Sequence, residues 1–107
     1  MTTFDEREQA FEEKYVHDEE LRFKAVARRN RMLGTWAAEK LGKSGAEAQA
    51  YTRDVIAAEF DGAGDAGVIA KVMSDFSANG VMLGEAELRT KMDDWMAQSI
   101  VQVKAGI

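Results

Sequence analysis

The sequence predicts an all-α protein, a four-helix bundle with a long first helix. Three observations predict it. Apolar residues recur at helical spacing, as in Val68, Ile69, Val72, Met73 and Phe76 at offsets 0, 1, 4, 5 and 8. No stretch alternates apolar and polar residues as a half-buried strand would. The punctuation is glycine, with nine Gly and no Pro in 107 residues, and the glycine-containing breaks leave four helical segments.

The first segment opens at Thr3. Thr3 and Glu6 form a capping-box pattern, in which hydroxyl and carboxylate each reach an amide of the first turn. No breaker follows until Leu41. Gly34 is the only internal glycine, costing about 1 kcal/mol relative to Ala. Gly42 suits the left-handed position after a helix. Ser44 and Glu47 form a second capping-box pattern, opening a helix to about Phe60 with Ala48, Tyr51, Val55 and Ile56 on its apolar face. Asp61 to Asp65 is a loop, with Asp65 as the expected N-cap of the third helix. Asn79-Gly80 ends that helix. The fourth begins near Gly84, with Glu85 and Glu87 at the positive end of its dipole. Leu88, Met92, Trp95, Met96 and Val103 line its buried side. Trp36 and Trp95 read as core residues.

Composition narrows the function classes. The chain is one domain, residues 1–107. Absence of Cys removes disulfides, thiolate metal sites and cysteine nucleophiles. A single His, His17, excludes a multi-histidine metal centre and disfavours a histidine triad. No nucleophile–base pair or metal constellation emerges, so the chain does not read as an enzyme. With 19 acidic against 14 basic residues the net charge is −5, which argues against nucleic-acid binding. No apolar run is long enough to span a membrane, and the opening Met-Thr-Thr-Phe-Asp-Glu lacks the pattern of a signal peptide. Absence of Cys fits a cytoplasmic location.

Length separates the first segment into two parts. As one helix of about 39 residues it spans about 58 Å, whereas the other three span about 22–33 Å. Part of it must overhang, bend back or be disordered in the free protein. Residues 21 to 41 carry a broad apolar arc of Phe23, Val26, Leu33, Trp36, Ala37 and Leu41. Residues 3 to 18 carry only Phe4, Phe11 and Tyr15, within about 40° on a helical wheel. Two readings of that stripe stay open: three anchors for a groove on another protein, or a cap on the chain's own core.

The stretch Thr2 to Gly42, and above all Ala27-Arg28-Arg29-Asn30-Arg31 with Leu33-Gly34 and Trp36-Ala37-Ala38, resembles the zeta subunit family of alphaproteobacterial F-type ATP synthases. The opening Met1 to Glu6 and the pair His17-Asp18 are also similar to that family, and the likeness is looser beyond residue 42. The loop Asp61 to Gly67 is richer in glycine than the family pattern. The resemblance implies a four-helix protein that inhibits ATP hydrolysis by the catalytic head. The implied inhibitory element is an N-terminal segment, residues 1–19, carried by a bundle of residues 20–107. It implies insertion at a catalytic interface of alpha and beta subunits near gamma. Phe4, Phe11 and Tyr15 would then be apolar anchors, with Arg7 and Lys14 pairing to acidic rims. The implied partners are the alpha, beta and gamma subunits, and the implied location is cytoplasmic, peripheral to the inner membrane through the ATP synthase. A monomer is expected when free.

Two features stay outside that inference. Arg22, Lys24, Arg28, Arg29 and Arg31 form a block with no acid inside it. Arg22, Arg28, Arg29 and Arg31 are a candidate ligand or docking patch, and weak adenine-nucleotide contact is the one ligand left open; no cofactor is otherwise called for. The plain alternative is a solvated face with the ion pairs Asp18–Arg22 and Glu20–Lys24. His17, beside three carboxylates, is a candidate pH sensor or a solvated junction residue. The competing functions are a helical adaptor without inhibitory activity and a nucleotide-sensing module.

Overall fold

In the computed structural model four helices form the chain: α1 (Thr3–Lys40), α2 (Gly45–Ala58), α3 (Asp65–Ala78) and α4 (Glu85–Ala105). The structure describes the backbone of residues 3–107 and the side chains of residues 19–107. The Thr3–Glu6 capping box therefore lies outside the described residues. Helix α1 packs along α2 and α4, while α3 closes the bundle against both of those helices.

The core follows the predicted faces. Val68, Ile69, Val72 and Phe76 of α3 are buried against Leu33, Ala37 and Ala38 of α1, Tyr51 and Val55 of α2, and Leu88 and Met92 of α4. Trp36 and Trp95 pack against this cluster with ring centroids 5.6 Å apart, and Trp36 also meets Phe76 at 5.5 Å. The first buried residue of α1 among the described residues is Ala25. Ser99, unmarked in the sequence pattern, is fully buried on the inner face of α4.

Glycine ends three helices in the same way. At the end of α1 the Lys43 amide donates to the Ala38 carbonyl at 2.9 Å and the Gly42 amide to Glu39 at 3.0 Å, with Gly42 at φ +74°. The pair of bonds around one left-handed residue satisfies carbonyls that the last turn leaves free. Val81 and Gly80 repeat it on Phe76 and Ser77 after α3, and Ile107 and Gly106 on Gln102 and Val103 after α4. Helix α2 ends differently and two residues earlier than expected. Amides of Glu59, Phe60 and Asp61 bond three residues back, tightening the chain into the turn before Gly62 and Gly64.

The starts of the helices correct two expectations. Ser44 is the N-cap of α2, with extended backbone, but its side chain makes no capping bond, so the Ser44–Glu47 box does not form. Asp65 is not a cap. Gly64 holds that position and Asp65 is the first residue of α3, because its carboxylate is engaged by a guanidinium of α1.

Gly34 turns out to be a packing residue. A Cβ there would stand 2.8 Å from the Thr52 Cα. Its missing side chain lets α1 and α2 approach closely at mid-height.

Candidate functional site

The predicted functional residues fall into two groups. The side chains of Phe4, Arg7, Phe11, Lys14 and Tyr15, and of His17, lie outside the described residues. The basic block is described, and the structure divides it.

Arg29 faces inward and is only 3% exposed. Its Nη2 donates to Asp65 Oδ1 at 2.8 Å and its Nη1 to Asp65 Oδ2 at 3.1 Å, a two-pronged pairing. Nη2 also reaches Glu59 Oε2 at 3.4 Å, and Nε donates to Asn30 Oδ1 at 3.0 Å. Asn30, itself buried, donates from Nδ2 to the same Glu59 oxygen at 3.3 Å. One guanidinium and one amide of α1 thus hold the end of α2 and the start of α3. Arg29 leaves the docking patch: its donors are used inside the chain.

The cluster sets the two carboxyl groups apart. Glu59 is pushed above the ordinary carboxylate range, first by burial and then by a hydrogen bond with Asp65. Asp65 is pulled below it, first by the hydrogen bonds from Arg29. The opposite shifts favour one negative charge over two beside the single guanidinium. Sequence reasoning missed both partners. They stand 30 and 36 positions from Arg29, and no local pattern connects them.

The remaining basic residues face out. Arg22, Lys24 and Arg31 are exposed. Arg28 is half-buried and donates to Gln102 Oε1 at 3.2 Å and to the Ile107 carbonyl, tying α1 to the end of α4. Lys24, Arg28 and Arg31 line a cleft of about 410 Å³ with Phe23, Ala27, Val103, Gly106 and Ile107. Glu20 and Lys24 do not form the expected ion pair. Phe23 departs from the predicted arc as well. It is 61% exposed and its ring lies 5.8 Å from that of Phe60, which is 60% exposed.

The glycine-rich loop carries backbone chemistry only. Gly62 at φ +92° and Gly64 at φ +58° make a turn that side-chain-bearing residues adopt with strain. Among the described residues no three metal-ligating groups converge, and no helix is long and apolar enough to cross a membrane.

The model of the family described as ATPase inhibitor subunit zeta matches residues 1–102. The chain belongs to that family. Zeta membership makes this chain an inhibitor-type regulatory protein associated with ATP synthase. The zeta chain is also similar to a protein solved by solution NMR, 42% identical, with a TM-score of 0.68 over 81% of this chain and 99% of that one. No curated protein matches it. The sequence features that carried the resemblance now have places in the fold. Within the motif Ala27 to Arg31, Arg29 and Asn30 are the buried polar pair, while Gly34 is the close approach to α2.

Proposed function

We propose that this chain blocks ATP hydrolysis by inserting its N-terminal segment, Thr2 to about Glu19, into a catalytic alpha–beta interface of the head near gamma. The observation that carries the reading is a division of labour along α1. The family match begins at residue 1, yet the buried positions of α1 begin at Ala25 among the described residues. Residues 19–24 contribute no buried position, and those from Ala25 onward tie α1 to the bundle, which supports a role for the N-terminal segment outside it.

The mechanism is a wedge. Phe4, Phe11 and Tyr15 share one helical face and supply aromatic anchors, the residue class that dominates binding energy at interfaces. Arg7 and Lys14 pair with acidic rims of the groove. The bundle behind is too bulky to follow and fixes the depth of insertion. No bond is made or broken by the inhibitor; it obstructs the rotation that hydrolysis requires. The protein acts as a monomer.

The test is ATP hydrolysis by the catalytic head of the same source. Full-length protein should inhibit, and a chain starting at Glu19 should not, although its bundle still unfolds cooperatively. Inhibition that survives the deletion would overturn insertion of the segment. Binding without inhibition by the full-length chain would favour the adaptor reading instead.

A further inference from the structure

Phe23 and Phe60 come from α1 and the α2–α3 turn, and their rings meet at 5.8 Å with more than half of each residue in solvent. The other described phenylalanine, Phe76, is 1% exposed. A contact that served only to pin the turn to α1 would cover at least one ring, and here both present area outward. Exposed aromatic area of this kind on a small acidic domain marks an interaction surface. Phe23 also lines the cleft that runs to the end of α4, where Lys24 and Arg31 supply exposed cations, Arg28 is bonded to Gln102 and Ile107, and no acidic side chain contributes. Arg22, at the position before Phe23, is exposed and its charge acts on Asp65. The chain as a whole has net charge −5, so this basic strip runs against the overall sign.

We propose that the Phe23–Phe60 pair and the adjoining basic cleft form a second docking surface for the catalytic head, fitted to an acidic segment of it that carries apolar anchors. The proposal rests on the inhibitory reading above. Two observations name the occupant. Charge complementarity calls for carboxylates opposite Lys24 and Arg31, with an apolar side chain against Phe23 and Val103. Continuity calls for the same partner: Phe23 lies four residues, about one turn, beyond Glu19 on the same helix. A segment inserted in the head brings this face to the rim of the insertion site. The rim contact would slow release of the wedge, since interface contacts act mostly on dissociation.

The experiment compares full-length wild type with two full-length variants, Phe23→Ser/Phe60→Ser and Lys24→Glu/Arg31→Glu. All four side chains are exposed, and among the described residues neither Lys24 nor Arg31 makes an internal ion pair. Inhibition, dissociation half-life from the head and thermal unfolding are measured together. The phenylalanine variant should need roughly 30-fold more protein for half inhibition, with an unchanged unfolding midpoint. The charge variant should associate more slowly and lose most of the salt dependence of association. Wild-type inhibition matched by both variants in strength and half-life would overturn the second surface while leaving the wedge intact. No inhibition by wild type would overturn both.

Discussion

Arg29 of α1 grips Asp65 at the first position of α3 with two hydrogen bonds, of 2.8 and 3.1 Å, across 36 residues of sequence. The guanidinium is almost sealed from water, whereas the Asp65 side chain is 47% exposed. Glu59 and Asn30 complete the arrangement. The turn between α2 and α3, glycine-rich and without a side-chain cap, is therefore held by a charge from another helix.

Replacing Arg29 should be the most damaging polar change in the bundle. Arg29→Met takes both bonds from Asp65 and the donor from Asn30 Oδ1, leaving Glu59 only its bond from Asn30, and removing one partner of such a pair costs about 3 kcal/mol or more. Asp65→Asn keeps one acceptor for the buried guanidinium, and Glu59 stays beside it at 3.4 Å, so a smaller loss of about 1.5–3 kcal/mol is expected. Urea unfolding of both variants measures the difference.

Stability should peak in weakly acidic solution. Glu59 holds its proton more tightly folded than unfolded, so its contribution is lost as pH rises through its raised value. Asp65 is held ionised, so its contribution is lost as pH falls through its lowered value. Glu59→Gln should flatten the alkaline limb and leave the acid limb in place. Unfolding free energy measured from pH 3 to pH 8 tests both limbs.

Gly34→Ala should destabilise the protein although Ala is the better helix former. The new methyl would meet the Thr52 Cα at 2.8 Å, and backbone cannot swing aside. Overpacking typically costs about 1–3 kcal/mol, which outweighs the propensity gain of about 1 kcal/mol. Gly84→Ala is the control, since nothing lies within 4 Å of its Cβ position. Thermal unfolding distinguishes them.

Removing residues 1–18 should leave the bundle stable to within about 0.5 kcal/mol. The described core begins at Ala25, and its polar cluster draws on Arg29, Asn30, Glu59 and Asp65. A large loss would show that the segment carries part of the fold. Denaturant unfolding of the shortened chain decides it.

The sequence made the helices and their stops legible because those are local. Val68, Ile69, Val72 and Phe76 declare one face by spacing alone, and Gly42 and Gly80 declare left-handed ends. What escaped was set by neighbours distant in the chain. Periodicity placed Phe23 on the apolar face, but most of the residue stays in solvent, with its ring against that of Phe60. The basic block read as one patch because its residues are contiguous. A helix turns about 100° per residue, so Arg29 goes to the interior while Arg28 and Arg31 line an outer cleft. Asp65 looked like a cap because it follows a glycine-rich loop, and only the fold shows that Arg29 claims it.

The chain has two tryptophans, and both sit in one place, 5.6 Å apart, where α1, α3 and α4 meet. Its tryptophan emission is thus a single-site reporter of the bundle's middle. A change in that emission would place a structural change at this junction of helices.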